Sequence, residues 1–329
     1  MRLSRVLVTG ANGFIGRAVC PVLENAGFNV RAAVRNLNDE VREILPEVKD
    51  FCEIKDIGPD AVFGDALNGV DVVVHLAARV HVMKESATDP LVEFRKVNTI
   101  GTKRLYEEAM ANGVKKFIFI STVKVNGERT TSKPFTEHDK PKPQDSYSVS
   151  KLEAEEILNE LWASGSPTAV TIFRIPLVYG PYVKGNFLRL LKIASKGVPL
   201  PLRSVNNRRS MLYVGNLVSA IETAIHDLNK GVKTFMVSDG QDVSTPELLR
   251  MISGEMGKSA LLFPFPPVLL KLAGVLTGKG AELDRLLGSL TVSNYKIKLE
   301  LGWTPPYEIS YGIRDMVAWF NRINDTVTE

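Results

Sequence analysis

The stretch LSRVLVTGANGFIG, residues 3–16, decides the fold. Residues 3–9 form a short β-branched run, Gly10 ends it, and residues 14–26 carry a helical pattern. Gly10, Gly13 and Gly16 give a G-x-x-G-x-x-G spacing at the junction of a first strand and a first helix. Such a junction meets three needs: a tight turn, close approach of backbone to a pyrophosphate, and tight seating of helix on strand. The start of the helix offers unpaired N–H groups and the positive end of its dipole to the phosphates. A dinucleotide is therefore expected over Gly10, Gly13, Phe14, Ile15 and Gly16.

Outward from this loop, strand-like runs recur at 28–34 (FNVRAAV), 70–78 (VDVVVHLAA), 115–122 (KKFIFIST) and 168–175 (TAVTIFRI). Helical stretches stand among them at 90–112 and 146–163. The runs at 70–78 and 115–122 are nearly continuous in apolar residues, as strands covered on both faces must be. The alternation predicts an α/β fold, a doubly wound parallel sheet of the Rossmann kind with right-handed crossovers. After Arg174 the texture changes, with Pro176, Pro181, Pro199 and Pro201 breaking regular structure. A strand–helix unit returns at 211–227, and KTFMVSD (233–239) predicts one more strand. The expected division is a dinucleotide-binding domain over 1–174, to which 209–243 returns, and a smaller, mixed, discontinuous C-terminal substrate-binding domain from 175–208 and 244–329. The apolar segment FPFPPVLLKLAGVL (263–276) lacks the charged face of an interfacial helix, so it reads as a lid or packing segment rather than a membrane-surface patch.

Of the 329 residues, 44% are hydrophobic and 24% charged, ordinary values for a soluble globular chain. A formal net charge of +4 is too mild to imply a nucleic-acid or anionic-membrane surface. Cys20 and Cys52 cannot build a disulfide framework or a zinc cage, and His75, His81, His138 and His226 offer no metal-ligand spacing, so no metal is expected. No apolar run reaches the ~20 residues of a spanning helix, and no charged-then-apolar leader opens the chain. A cytoplasmic enzyme without a membrane span is the resulting expectation.

The end of the second strand bears on the cofactor type. An acid there would hold the adenosine ribose of NAD, but the chain offers Arg31 and Arg35 and no acid before Asp39. The Arg35 guanidinium suits a 2′-phosphate, which favours NADP(H) over NAD(H). Asp56 and Ile57 are placed to meet the adenine edge. SYSVSK sets Tyr147 and Lys151 four residues apart on one helix face, while Ser121 and Thr122 end the strand before it. Ligands of open parallel sheets bind at that strand edge. An ammonium beside a phenol favours phenolate and brings its proton into range for transfer, and a threonine hydroxyl can steady the oxygen on which charge develops.

Taken together, these features resemble the extended short-chain dehydrogenase/reductase family, particularly its nucleotide-sugar branch. The likeness spans nearly the whole chain: GANGFIG, HLAA at 75–78, KVNTIGT at 96–102, FISTVKVNG at 119–127, YSVSK at 147–151 and LVYGP at 177–181. It implies Thr122, Tyr147 and Lys151 as the catalytic set, with Leu76, Ala77, Ala78, Asn98, Ser121 and Pro176 on the cofactor side. RRSMLYVGNLVSAI (208–221) is similar to the family segment whose arginine, here Arg209, grips the substrate diphosphate. Arg285 is a second candidate clamp, and Asn186 belongs to a segment resembling the one that meets the nucleotide. The helices at 90–112 and 146–163 resemble the pair that builds a dimeric four-helix bundle, so a homodimer is implied. Pocket shape is expected to depend on the 80–87 loop, including His81, and on a lid from 183 onward.

Within the family, the nucleotide-sugar dehydratases carry Ser-Thr-Asp-Glu where this chain has Ser121-Thr122-Val123-Lys124, so elimination chemistry is not expected. The epimerases' asparagine is replaced by Leu177. GVPLPLRSVNNRRS (197–210), HLAARVHVMKES (75–86) and LGWTPP (301–306) look similar to bacterial surface-polysaccharide enzymes. The leading expectation is NADPH-dependent reduction of the 4-keto group of a UDP-linked sugar. Two alternatives stand beside it: a UDP-hexose or UDP-N-acetylhexosamine 4-epimerase with bound NAD, and an NADP-dependent reductase of a non-nucleotide ketone.

Overall fold

The computed structural model describes residues 4–80, 89–227, 230–278 and 280–325. The strands are β1 (Arg5–Thr9), β2 (Asn29–Val34), β3 (Asp50–Glu53), β4 (Val72–His75), β5 (Lys116–Thr122), β6 (Ala169–Ile175), β7 (Leu177–Tyr179), β8 (Met211–Tyr213) and β9 (Val232–Met236). The helices of the first half are α1 (Gly16–Asn25), α2 (Asp39–Ile44), α3 (Gly64–Leu67), α4 (Pro90–Phe94), α5 (Gly101–Ala111) and α6 (Ser146–Ala163). Those of the second half are α7 (Gly185–Lys196), α8 (Val214–His226), α9 (Thr245–Glu255), α10 (Pro267–Leu276), α11 (Gly280–Leu287), α12 (Tyr295–Leu301) and α13 (Ile309–Asp325).

Seven strands form one sheet in the order β3-β2-β1-β4-β5-β6-β9, parallel throughout. The chain runs outward from β1 to β3, then returns to β4 on the other side of β1. That reversal opens a crevice at the carboxyl ends of β1 and β4, where such sheets bind ligands. Alternation along the strands builds two cores. Val6, Val8, Val72, Val74, Ile118 and Ile120 face α1 and α8 on one side. Leu7, Val73, Phe117 and Phe119 face α5 and α6 on the other.

Two expected elements change form. The run 70–78 is a strand only over Val72–His75, because the chain turns at Ala77, whose N–H donates to Thr9 Oγ1 at 3.2 Å instead of to a ladder. The helix expected over 90–112 is α4 and α5 joined by a π-helical segment, Arg95–Ile100. A π turn takes in one extra residue and is frequent at functional sites; here it brings Asn98 and Thr99 inward together.

The smaller lobe has its own core, from Tyr179, Phe187, Leu191, Ile252, Ile313, Met316 and Phe320 among others. Of the stretch 209–243 expected to return to the first half, α8 joins the core on α1 and β9 joins the large sheet, whereas β8 pairs with β7. Buried Asp239, just past β9, binds these parts together: its carboxylate accepts from the Tyr179 hydroxyl, the Tyr213 N–H and the Asn216 amide, each at 2.8 Å.

Candidate active site

The glycine loop is formed as its spacing requires. Gly10 has φ +68°, and a Cβ there would stand 3.0 Å from the Ala77 nitrogen. At Gly16 a Cβ would fall 2.3 Å from the Ala11 carbonyl oxygen, so neither position admits another residue. No side chain caps α1, and among the described residues the N–H groups of Phe14, Ile15 and Gly16 have no acceptor. These donors at a helix start, beside a turn that excludes side chains, fit the pyrophosphate of a dinucleotide.

Around the loop, Arg35 directly follows β2 and is exposed, with no ion pair or hydrogen bond among the described residues. Arg31 is occupied instead, donating to Asp50 at 2.9 Å and to the Asp65 carbonyl at 2.9 Å. Asp56 caps its own turn, accepting from the Ile57 N–H at 2.8 Å. Asn98 is buried and almost fully committed: its carbonyl accepts from the Arg79 N–H at 2.8 Å, and its amide donates to the Arg79 carbonyl and to Ser150 Oγ, both at 3.0 Å. It therefore braces the Leu76–Ala77–Ala78 segment against α6 and has no N–H left for a ligand. Beneath lies a polar chain that sequence reading missed: Thr9 Oγ1 meets His75 Nδ1 at 2.7 Å, His75 Nε2 meets Thr102 Oγ1 at 3.1 Å, and Thr102 donates to the Asn98 carbonyl at 2.7 Å. Burial, helped by the Lys151 charge, lowers His75 to about 3, so the ring is neutral.

Thr122 ends β5 in register with Ile175, and buried Pro176 follows directly. Asp145 starts α6 with a capping box, accepting from the Ser148 N–H at 2.7 Å. This fixes the first turn, from which Tyr147 and Lys151 project one turn apart. The Tyr147 ring packs edge-on to Phe94, with centroids 6.2 Å apart, and Lys151 Nζ sits 3.8 Å above the Phe119 ring. The expected lowering of the phenol is reversed. Burial, then the Asp145 charge, push Tyr147 above its ordinary value. Lys151 is itself lowered by burial to about 7, so it carries only part of its charge at neutrality.

Behind this set is a buried ion pair without a sequence signature. The Ser121 hydroxyl donates to Glu155 Oε1. Arg174 forks onto Glu155 Oε2 at 3.0 and 2.6 Å and reaches Asn126 Oδ1 at 3.0 Å. Glu155 lies one turn beyond Lys151, which was the available hint.

Arg209 and Arg285, the two expected diphosphate clamps, meet through the Arg285 carbonyl. Arg209 Nη1 donates to the Arg285 carbonyl at 2.6 Å and to the Gly288 carbonyl at 3.1 Å, while the Arg285 side chain is exposed. Asn186 is exposed in the first turn of α7. A cavity of about 490 Å³ lined by Phe14, Arg17, Tyr182, Tyr213 and Tyr307 contains none of Thr122, Tyr147 or Lys151. Of the 80–87 loop, His81 and its neighbours through 87 lie outside the described residues.

The NAD dependent epimerase/dehydratase family model matches residues 6–238. A "UDP-glucose 4-epimerase" of Vibrio cholerae is 40% identical over 323 residues, covering 97% of this chain and 96% of the relative. An Escherichia coli O157:H7 relative, "N-acetyl-alpha-D-glucosaminyl-diphospho-ditrans,octacis-undecaprenol 4-epimerase", is 28% identical, covering 94% of this chain and 92% of its own length. The solved Thermus thermophilus UDP-glucose 4-epimerase complex with NAD superimposes with a TM-score of 0.74 at 26% identity, covering 96% of this chain and 99% of that one. The chain belongs to the NAD dependent epimerase/dehydratase family and is an enzyme of the nucleotide-sugar branch of the extended short-chain dehydrogenases/reductases.

Proposed function

We propose that the enzyme is a UDP-hexose or UDP-N-acetylhexosamine 4-epimerase working with a retained NAD. The observation that carries this reading is the 40% identity to the V. cholerae "UDP-glucose 4-epimerase" along almost the full length of both chains. It takes precedence over the 4-keto reductase expected from Arg35, Leu177 and short segment likenesses, since those are local features of a few residues each. NAD held at the glycine loop would supply reversible hydride acceptance. The chain's own residues do the rest. Phe14, Ile15 and Gly16 offer N–H donors to the pyrophosphate. Tyr147 takes the proton from the sugar 4-hydroxyl and returns it. The Thr122 hydroxyl donates to the same oxygen, and Lys151, charged in part near neutrality, draws the phenol toward phenolate once ligand is bound. Arg209 and Arg285 grip the diphosphate, with Asn186 at the nucleotide.

The strand end lacks the Asp-Glu pair that the dehydratases carry there. Val123 is buried in a core with Met236 and Leu290, and Lys124 pairs with Asp145 at 2.5 Å and Glu128 at 3.1 Å. The domain limits given above and a cytoplasmic homodimer complete the reading, with exposed Val92, Ile100 and Trp162 on the two bundle helices as its apolar contacts.

The test is incubation of the purified enzyme with UDP-glucose, and separately UDP-N-acetylglucosamine, without added cofactor. Appearance of the 4-epimer, with NAD released on denaturation, is expected. A second reading, the NADPH-dependent 4-keto reductase of UDP-sugars, is supported by unpaired Arg35 and by Leu177 in place of the epimerase asparagine. Failure to epimerise, with NADPH consumed on a UDP-4-keto-6-deoxy sugar, selects it.

A further inference from the structure

We propose that α10, with the loop residues beside it, is a docking face for an anionic phospholipid bilayer, on which the enzyme rests as a peripheral protein. α10 is tied to the molecule by a narrow stripe. Leu270 packs against the small core of Leu202, Val205 and Leu249. Gly274 lies so close to α11 that a Cβ there would stand 2.6 Å from Leu283 Cδ1. The remaining apolar side chains point outward: Val268 is 75% exposed, Leu272 55%, Val275 70% and Leu276 79%. A helix in water ordinarily turns such residues inward, and this many on one short helix is a patch, not scattered singles. The patch continues beyond the helix. Leu261 and Phe263 are exposed just before it, as are Ile193 and Val198 of the α7 end. The Leu200–Leu262 bridge joins the two segments, and Lys258 Nζ donates to the Ser195 carbonyl at 2.5 Å.

Charge selects the occupant. Residues 184–203 contain five Lys or Arg and residues 256–278 two more, with no Asp or Glu in either stretch, in a chain whose net charge is only +4. Lys192, Lys196, Arg203, Lys258 and Lys271 are exposed. The mild overall balance thus hides a local excess, and all of these cations but Lys271 come from the segments beside α10, which the expectation of a lid or packing segment, made from 263–276 alone, left out. A second copy meeting the first through this face would set cations against cations. An anionic leaflet receives the apolar side chains in its acyl boundary and the cations among its headgroups. The contact lies on the surface. A ten-residue helix spans about 15 Å, half of a ~30 Å hydrocarbon core. No helix among the described residues is long and apolar enough to cross.

The full-length protein is to be co-sedimented with vesicles of phosphatidylglycerol and phosphatidylcholine in equal parts, and with phosphatidylcholine alone. Binding to the first is expected to exceed binding to the second by about tenfold or more and to weaken as salt rises. The double variant Val268→Glu, Val275→Glu changes exposed positions only, so its melting temperature is expected to hold while its vesicle partitioning falls about tenfold or more. Lys271→Glu should weaken binding to the anionic vesicles. Absence of binding to anionic vesicles overturns the proposal, as does undiminished binding by the double variant. A dimer that the double variant alone breaks, with no vesicle binding, also overturns it and gives the face to a second copy. None of these readouts depends on which sugar is turned over.

Discussion

Tyr147 is pushed above its ordinary value, because burial and then the Asp145 carboxylate oppose phenolate. Removing its hydroxyl separates chemistry from binding. Tyr147→Phe should lower kcat by ~10²–10⁴-fold while NAD affinity, followed by equilibrium dialysis, stays within a few-fold. Undiminished turnover would take the phenol out of the reaction. Arg35 poses the second question at this scale. It is exposed beside β2 and unpaired among the described residues, whereas Arg31 is consumed by Asp50 and the α3 carbonyls. Arg35→Asp should move the NADP-to-NAD affinity ratio toward NAD by about tenfold or more. An unmoved ratio would show that Arg35 meets no 2′-phosphate. The glycines were legible because each has a steric reason visible in spacing. Arg209 and Arg285, 76 residues apart, meet through a carbonyl that no spacing announces.

Between elements, the polar chain Thr9–His75–Thr102 stitches β1, β4 and α5 beneath the glycine turn. His75 is lowered from 6.5 to about 3. Between those values the unfolded chain takes a proton that the folded chain refuses, so stability falls as pH drops through that window. His75→Gln should flatten this part of a urea-midpoint profile, and an unchanged slope would show that another group titrates there. The strands β1, β2, β5 and β6 and the helix at 146–163 were readable from period and run length, whereas the short β3 and β7 were not. The π turn at Arg95–Ile100 was not, because one added residue barely disturbs a helical pattern. Nor was the pairing of Glu155 with Arg174, since a charge within an apolar strand gives no clue to its partner. The strand at 70–78 was overestimated because apolar residues continue past the point where the backbone leaves the ladder.

For the whole molecule, the bundle helices leave Val92, Ile100 and Trp162 exposed, the surface through which the proposed homodimer forms. Ile100→Glu should convert the dimer to monomer in sedimentation equilibrium; a dimer that persists would require another interface. The exposed apolar residues of α10 were plain in the sequence, but their outward direction was not, since composition does not say which side of a helix finds a core. One feature of the fold reaches further. The polypeptide passes from the large sheet to the smaller lobe, returns for α8 and β9, and leaves again through Asp239, whose carboxylate holds Tyr179, Tyr213 and Asn216. Neither lobe is a continuous length of chain, so no single proteolytic nick or shortened gene can release one intact. Calorimetry should accordingly record one endotherm, with its van't Hoff and calorimetric enthalpies in agreement, rather than two halves melting in turn.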